Sequence, residues 1–312
     1  MSLDATPREA VRNQARVYMV RSGLTMRELA DRTGYSHRSM IQFMSIAQYG
    51  DGDGHLTAKA ILDYMETNPL PRAELPGKLY ETEATREMDA LLAAVYRGRW
   101  GVLYGPAGAQ KTFLLEYRAA ECAAQADSPM AYIRTSPSGM TPPVLLRRIS
   151  AAMGSPYAQS CDGMRQNVIY ALRARKGPFA IVLDEAQHLY HAVDTLETLR
   201  EIGDLGRERV GILVAGNEQV MAIFSPRRNM HFEQWRSRAQ QKEVRVLGPS
   251  RDEARRMLRG ELGELKEETV TKVFLDKCAV DDPVSGSKYI SARRLFNSIR
   301  DFREARDRKR AQ

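Results

Sequence analysis

Three short stretches of the 312-residue sequence carry residue types that could act together on a chain of phosphates. In Gly105-Pro106-Ala107-Gly108-Ala109-Gln110-Lys111-Thr112, glycines let backbone N–H groups turn inward around phosphate oxygens. Lys111 can then reach the terminal phosphates and the Thr112 hydroxyl can ligate Mg²⁺. In Phe179-Ala180-Ile181-Val182-Leu183, an apolar run delivers Asp184 and Glu185 at its end. Asp184 would orient Mg²⁺ or its water, and Glu185 would polarise the water attacking the γ-phosphate of ATP. A third apolar run, Gly211 to Ala215, ends at Gly216-Asn217, whose side-chain amide both donates and accepts and so could hold that water or sense the γ-phosphate. One position departs from the phosphate-loop pattern. Gln110 stands where a glycine usually precedes the lysine, and it is sterically restricted if that residue must adopt positive φ.

These residues need elements that hold them at one edge. Trp100 to Tyr104 reads as a buried strand entering the glycine turn, and a helix resumes at Lys111, so the loop lies at a helix N-terminus that favours anions. Further buried strands are expected at Met130–Arg134, Phe179–Leu183, Val210–Ala215 and Lys242–Val246, separated by helical stretches. Such alternation predicts an α/β fold with a parallel sheet covered on both faces and its ligand at the strand C-termini. From about Ser250 the pattern is wholly helical and ends in a basic tail, Arg303 to Arg310.

Ahead of this lies a helical segment, residues 1–66. Met26 to Phe43 fits a helix-turn-helix: Ala30 is small where two helices cross, Gly34 permits the turn, Ser36 can N-cap the second helix, and Met40 and Phe43 return to a shared core. The second helix would present His37, Arg38, Ser39 and Gln42 to the phosphates or base edges of double-stranded DNA, with Arg12 and Arg16 making the first helix basic. A small bundle used for subunit contacts is the other reading of the same pattern. Prolines 69, 71 and 76 mark residues 67–81 as a linker, residues 82–249 form the α/β core, and residues 250–312 the helical C-terminal part.

The formal charge of +8 and pI near 9.4 suit a polyanionic partner. Cys122, Cys161 and Cys278 are too scattered for a zinc cluster or a disulfide framework, which fits a reducing, cytoplasmic setting. Met1-Ser2-Leu3-Asp4 has no signal-peptide character and no window approaches the ~20 apolar residues of a membrane span, so no membrane partner is expected.

Gly105 to Thr112, Leu183-Asp184-Glu185-Ala186-Gln187-His188-Leu189, Leu196-Glu197-Thr198-Leu199-Arg200 and Gly211 to Glu218, in that order, resemble the AAA+ ATPases of transposition target selection, the phage Mu B protein-like family. The resemblance spans roughly residues 85 to 300. It implies a P-loop AAA+ domain with a C-terminal helical lid, ATP held between subunits of a homo-oligomer or filament on DNA, and a transposase as partner. It also implies an arginine finger supplied to the neighbouring subunit, for which Arg238 in Trp235-Arg236-Ser237-Arg238 matches and Arg236 is the fallback. In the lid, Ile290-Ser291-Ala292-Arg293-Arg294-Leu295 resembles the helix that places an arginine sensor, Arg293, over the nucleotide; Arg293 and Arg294 could instead face DNA. The family also carries a helix-turn-helix before its ATPase domain. Secretion ATPases of the ExeA type share the Asp-Glu-Ala-Gln strand end, and a nucleotide-regulated helix-turn-helix transcription factor is a further alternative.

Overall fold

The computed structural model describes residues 8–45, 54–69, 75–123, 128–137, 139–154, 158, 160–175, 177–224, 235, 238 and 242–311. Among them, strands β1 (Trp100–Tyr104), β2 (Met130–Arg134), β3 (Phe179–Asp184), β4 (Val210–Gly216) and β5 (Glu243–Arg245) form one parallel sheet in the order β2-β3-β4-β1-β5. All five strands lie where the apolar runs predicted them, within one or two residues. The chain builds outward from β1 to β2, works back through β3 and β4, and then crosses to the other side of β1. That reversal opens a crevice at the C-terminal ends of β1, β3 and β4.

Alternation along the strands divides the core in two. Phe179, Ile181, Leu183, Val210, Ile212 and Val214 point to one face; Ala180, Val182, Leu213 and Ala215 point to the other. Helices α7 (Pro142–Met153), α8 (Cys161–Ala174) and α9 (Val193–Gly206) supply the cover for the first face, whereas α5 (Glu83–Val95) and α6 (Lys111–Ala123) cover the second. A sheet covered on both faces needs unbroken apolar strands, which is why β3 and β4 are buried at every position.

The N-terminal segment folds as α1 (Arg8–Ser22), α2 (Met26–Thr33), α3 (His37–Met44) and α4 (Gly54–Thr67) around Val11, Ala15, Leu29, Ala30, Met40, Phe43 and Ile61. Thr25 and Glu28 cap α2 reciprocally, and Ser36 caps α3 by accepting from the Ser39 backbone N–H. Gly34 takes φ 76 at the turn, the left-handed backbone expected there.

Beyond β5 the lid contains α10 (Arg251–Leu262), the helical run α11 (Glu267–Thr269, Val270–Leu275 and Asp276–Cys278) and α12 (Ala292–Ala311). The sequence pattern suggested a wholly helical segment from about Ser250, and the structure corrects that. Ala279–Asp281 (β6) and Lys288–Ile290 (β7) form an antiparallel hairpin. Strands of three residues have too few alternations to show in a pattern. The hairpin is instead fixed by Asp282, whose carboxylate accepts from Ser285 and from both terminal nitrogens of Arg245 on β5, at 2.8 and 2.6 Å. None of the described helices is long and apolar enough to cross a membrane.

Candidate functional site

A cavity of about 740 Å³ lies at the crevice over the C-terminal ends of β1, β3 and β4. It gathers Ala107 to Thr112 with Asp184, Glu185, Asn217 and Arg293, so residues separated by nearly two hundred positions share one wall. Gly105 and Pro106 form the turn that enters it from β1, and Lys111 opens α6.

Lys111 is 9% exposed, and its Nζ donates to the carbonyls of Gly105 and Pro106 at 2.8 and 2.9 Å. Burial pushes its ammonium pKa down, while Asp184 and Glu185 pull it back up. A buried cation whose hydrogen bonds among the described residues go to backbone carbonyls, at the N-terminus of a 13-residue helix, is what a phosphate would engage. Gln110, just before it, adopts φ 67, so the restricted conformation that its position in the loop implied is the one it takes.

Asp184 is 1% exposed. One of its oxygens accepts from the Tyr132 hydroxyl at 2.9 Å and the other from the Glu185 backbone N–H at 2.8 Å. Burial, then Asp184 itself, raises the Tyr132 phenol well above its usual range, so it stays a hydrogen-bond donor. Asp184 and the Thr112 hydroxyl are hard oxygen donors that suit Mg²⁺, and among the described residues no group of three His, Cys, Asp or Glu could hold a metal on its own. That set fits a cation completed by phosphates and water rather than one caged by protein.

Glu185 takes φ 56 at the strand end. Its backbone carbonyl accepts from Thr135 at 2.6 Å, and one carboxylate oxygen accepts from Gln187 Nε2 at 2.6 Å. Arg134 Nη2 lies 3.9 Å from the other oxygen. Asn217 Oδ1 accepts from the Gln219 backbone N–H at 2.9 Å, which leaves the amide NH₂ as its donating end.

The lid closes one side of the cavity. The Ala292 N–H, first in α12, donates to Gly108 O at 3.1 Å, which brings the next residue, Arg293, to the rim. The sequence pattern assigns Pro76, Gly77 and Lys78 to the linker, yet these residues before α5 form another wall of the cavity with Phe113 and Phe296. Tyr80 follows them and donates to Glu261 on α10 at 2.7 Å, so this stretch is tied to the lid. Tyr132 and Gln187 were likewise missed as site residues; a polar side chain two positions from a candidate acid was the available signal for Gln187.

Arg238 lies elsewhere. It pairs with Asp204 and sits 5.1 Å over the Trp100 ring, at the opposite end of β1 from the phosphate loop. It takes no part in the cavity of its own chain. Arg236 lies outside the described residues.

On α3, His37, Arg38 and Gln42 are exposed. Ser39 is half-buried, and its hydroxyl is engaged with that of Ser36 at 2.8 Å. Arg12 and Arg16 do not extend this surface as their charge suggested. Arg12 is buried and donates to Phe43 O at 2.6 Å, and Arg16 donates to Met44 O. Both satisfy carbonyls at the C-terminus of α3, where cations oppose the helix dipole.

Residues 95–224 match the family model described as AAA domain. Among solved structures, the chain is similar to Cdc6p from Pyrobaculum aerophilum, at 20% identity over 73% of this chain and 62% of that one, with a TM-score of 0.53. It is also similar to the Aeropyrum pernix ORC1 protein in complex with DNA (19% identity, 71% and 59% covered, TM-score 0.45) and to AMPPCP-bound DnaA from Aquifex aeolicus (15% identity, 77% and 70% covered, TM-score 0.48). The chain spans about three fifths of the length of the first two, 62% and 59%. Comparison with curated protein sequences gives no match. The sheet order and these likenesses agree on the fold: the centre of this chain has an α/β P-loop fold of the AAA+ type, within which residues 95–224 are similar to an AAA domain.

Proposed function

We propose that the protein is an ATP-hydrolysing, DNA-binding AAA+ protein that assembles on duplex DNA when ATP is bound. The observation that carries the reading is the single cavity joining Lys111, Thr112, Asp184, Glu185, Asn217 and Arg293. Lys111 and the N-terminus of α6 bind the phosphates, Gln110 and Ala107 to Ala109 line the loop around them, and Arg293 adds charge from the lid. Mg²⁺ would be held by Thr112 and Asp184 and would neutralise phosphate charge. Glu185 takes a proton from the attacking water, and Asn217 donates to the γ-phosphate or to that water.

The exposed face of α3 supports duplex DNA as the partner, with Arg38, His37 and Gln42 as contacts and Ser39 kept to the cap. Arg238 is proposed to serve a neighbouring subunit, consistent with its distance from its own cavity, and would leave Asp204 to do so. The finer reading, delivery of a target site to a transposase, rests on the motif order that resembles the Mu B-like family. The free cysteines suit a reducing, cytoplasmic setting.

Mass photometry of the protein with short duplex DNA tests the assembly. The reading expects oligomers with ATP and DNA together and their dispersal as ATP is consumed. The same particle mass with and without nucleotide, and DNA affinity indifferent to both nucleotide and salt, contradicts it.

A further inference from the structure

Gln187 bridges two parts of the cavity that must respond to the same phosphate. Its Nε2 donates to Glu185 Oε2 at 2.6 Å, and its Oε1 accepts from the backbone N–H of Asn217 at 3.3 Å. The partners dictate which way round the amide sits. A carboxylate only accepts and a backbone N–H only donates, so the flipped amide would lose both bonds.

Gly216 provides the room. A Cβ at that position would stand 2.5 Å from Gln187 Oε1, closer than any side chain tolerates. Its φ is not in the left-handed region; a side chain there would push the Gln187 amide from its place and would also crowd Val220 Cβ at 3.2 Å and the Gln187 backbone N at 3.4 Å. The bridge therefore occupies a space that the neighbouring strand leaves open for it.

The consequence is chemical. Gln187 engages Oε2 of Glu185, and Arg134 Nη2 lies 3.9 Å from Oε1. Oε1 is then the oxygen left to accept a proton from water. The Glu185 backbone is anchored as well, through the Thr135 hydroxyl at 2.6 Å.

We infer that Gln187 is a positioning residue for ATP hydrolysis, holding the Glu185 carboxylate in register with Asn217 so that contact between Asn217 and the terminal phosphate fixes the base at the same time. The inference rests on the ATPase reading above. Removing a hydrogen bond to a charged group corresponds to about a ten- to hundredfold effect on rate. Gln187→Ala is expected to bind a fluorescent ATP analogue as tightly as wild type and to hydrolyse ATP slower by about that factor. In Gln187→Glu the introduced carboxyl repels Glu185 at neutral pH and donates to it once protonated.

The experiment measures nucleotide affinity and the pH profile of kcat for wild type, Gln187→Ala, Gln187→Glu and Glu185→Gln, with thermal unfolding as a check on folding. Recovery of Gln187→Glu as pH falls, with no recovery in Gln187→Ala, supports the bridge; a residue that only fills space would give both variants one profile. Wild-type turnover in Gln187→Ala alongside slow turnover in Glu185→Gln overturns the role of Gln187 and leaves the ATPase reading standing. Failure of the wild type to bind or hydrolyse ATP overturns both.

Discussion

Gln110 and Glu185 are the two non-glycine residues with left-handed backbone among the described residues, at φ 67 and φ 56, and both line the same cavity. One opens the phosphate loop onto α6, and the other turns the chain out of β3 beside Asp184. An L-residue in this conformation costs on the order of 1 kcal/mol, so the strain falls on the loop that would hold phosphate and on the acid that would act on it.

Replacing Gln110 with glycine should act on turnover more than on the fold. Relief of about 1 kcal/mol of strain is offset by the ~0.5–1 kcal/mol that glycine loses in backbone entropy on folding. The expected result is a melting temperature within a few degrees of wild type and a severalfold rise in kcat, because the bare backbone can close further on the phosphates. Calorimetry and steady-state hydrolysis check both halves.

Lys111 gives a pH dependence with a definite sign. Burial lowers its pKa, so the ammonium is lost at a lower pH than on an exposed lysine, and bound phosphate restores it. Nucleotide affinity should therefore fall as pH rises through the alkaline range, and binding there should take up protons. Titration calorimetry in two buffers of different ionisation enthalpy measures that uptake; no uptake and a flat affinity would exclude a depressed Lys111.

Asp282 predicts an acid limb in stability. Arg245, then Ser285, holds its carboxyl far below the usual carboxylate range. A depressed folded pKa stabilises above the unfolded value, near 4, and that contribution is lost as pH falls through the folded value. Asp282→Asn should lower the melting temperature by several degrees at neutral pH and flatten its acid dependence. Because Arg245 also pairs with Glu218, beside Asn217, the same variant should loosen nucleotide binding.

The arginines of the N-terminal segment should separate into two behaviours. Arg12→Ala removes the buried hydrogen bond to the Phe43 carbonyl and should destabilise α1 to α4 by about 1–3 kcal/mol. Arg38 is exposed with no ion pair or hydrogen bond among the described residues, so Arg38→Ala should leave stability unchanged, weaken DNA binding and reduce its salt slope by about one. Chemical denaturation and fluorescence anisotropy at several salt concentrations tell them apart.

Much of this was legible in the sequence because buried parallel strands write themselves as unbroken apolar runs. Phe179 to Leu183 and Val210 to Ala215 spell out β3 and β4, so the polar residues just past them, Asp184, Glu185 and Asn217, fall at one edge of the sheet. What stayed hidden depends on contacts across the chain. Gln187 gains its meaning from Asn217, thirty residues on, and the β6–β7 hairpin from Arg245, which lies outside it. Pro76 to Lys78 read as linker composition, and only the position of the lid turns them into a cavity wall. Arg12 and Arg16 were misjudged because charge alone does not say whether an arginine meets solvent or a helix end.

The central claim is that Glu185 is the base for ATP hydrolysis in this cavity. The most direct measurement compares equilibrium ATP binding with single-turnover hydrolysis in wild type and in Glu185→Gln, which keeps size and shape and removes the basic oxygen. The account predicts binding within a few-fold of wild type and hydrolysis slowed by about a hundredfold or more. Equal rates of hydrolysis in the two proteins would contradict it.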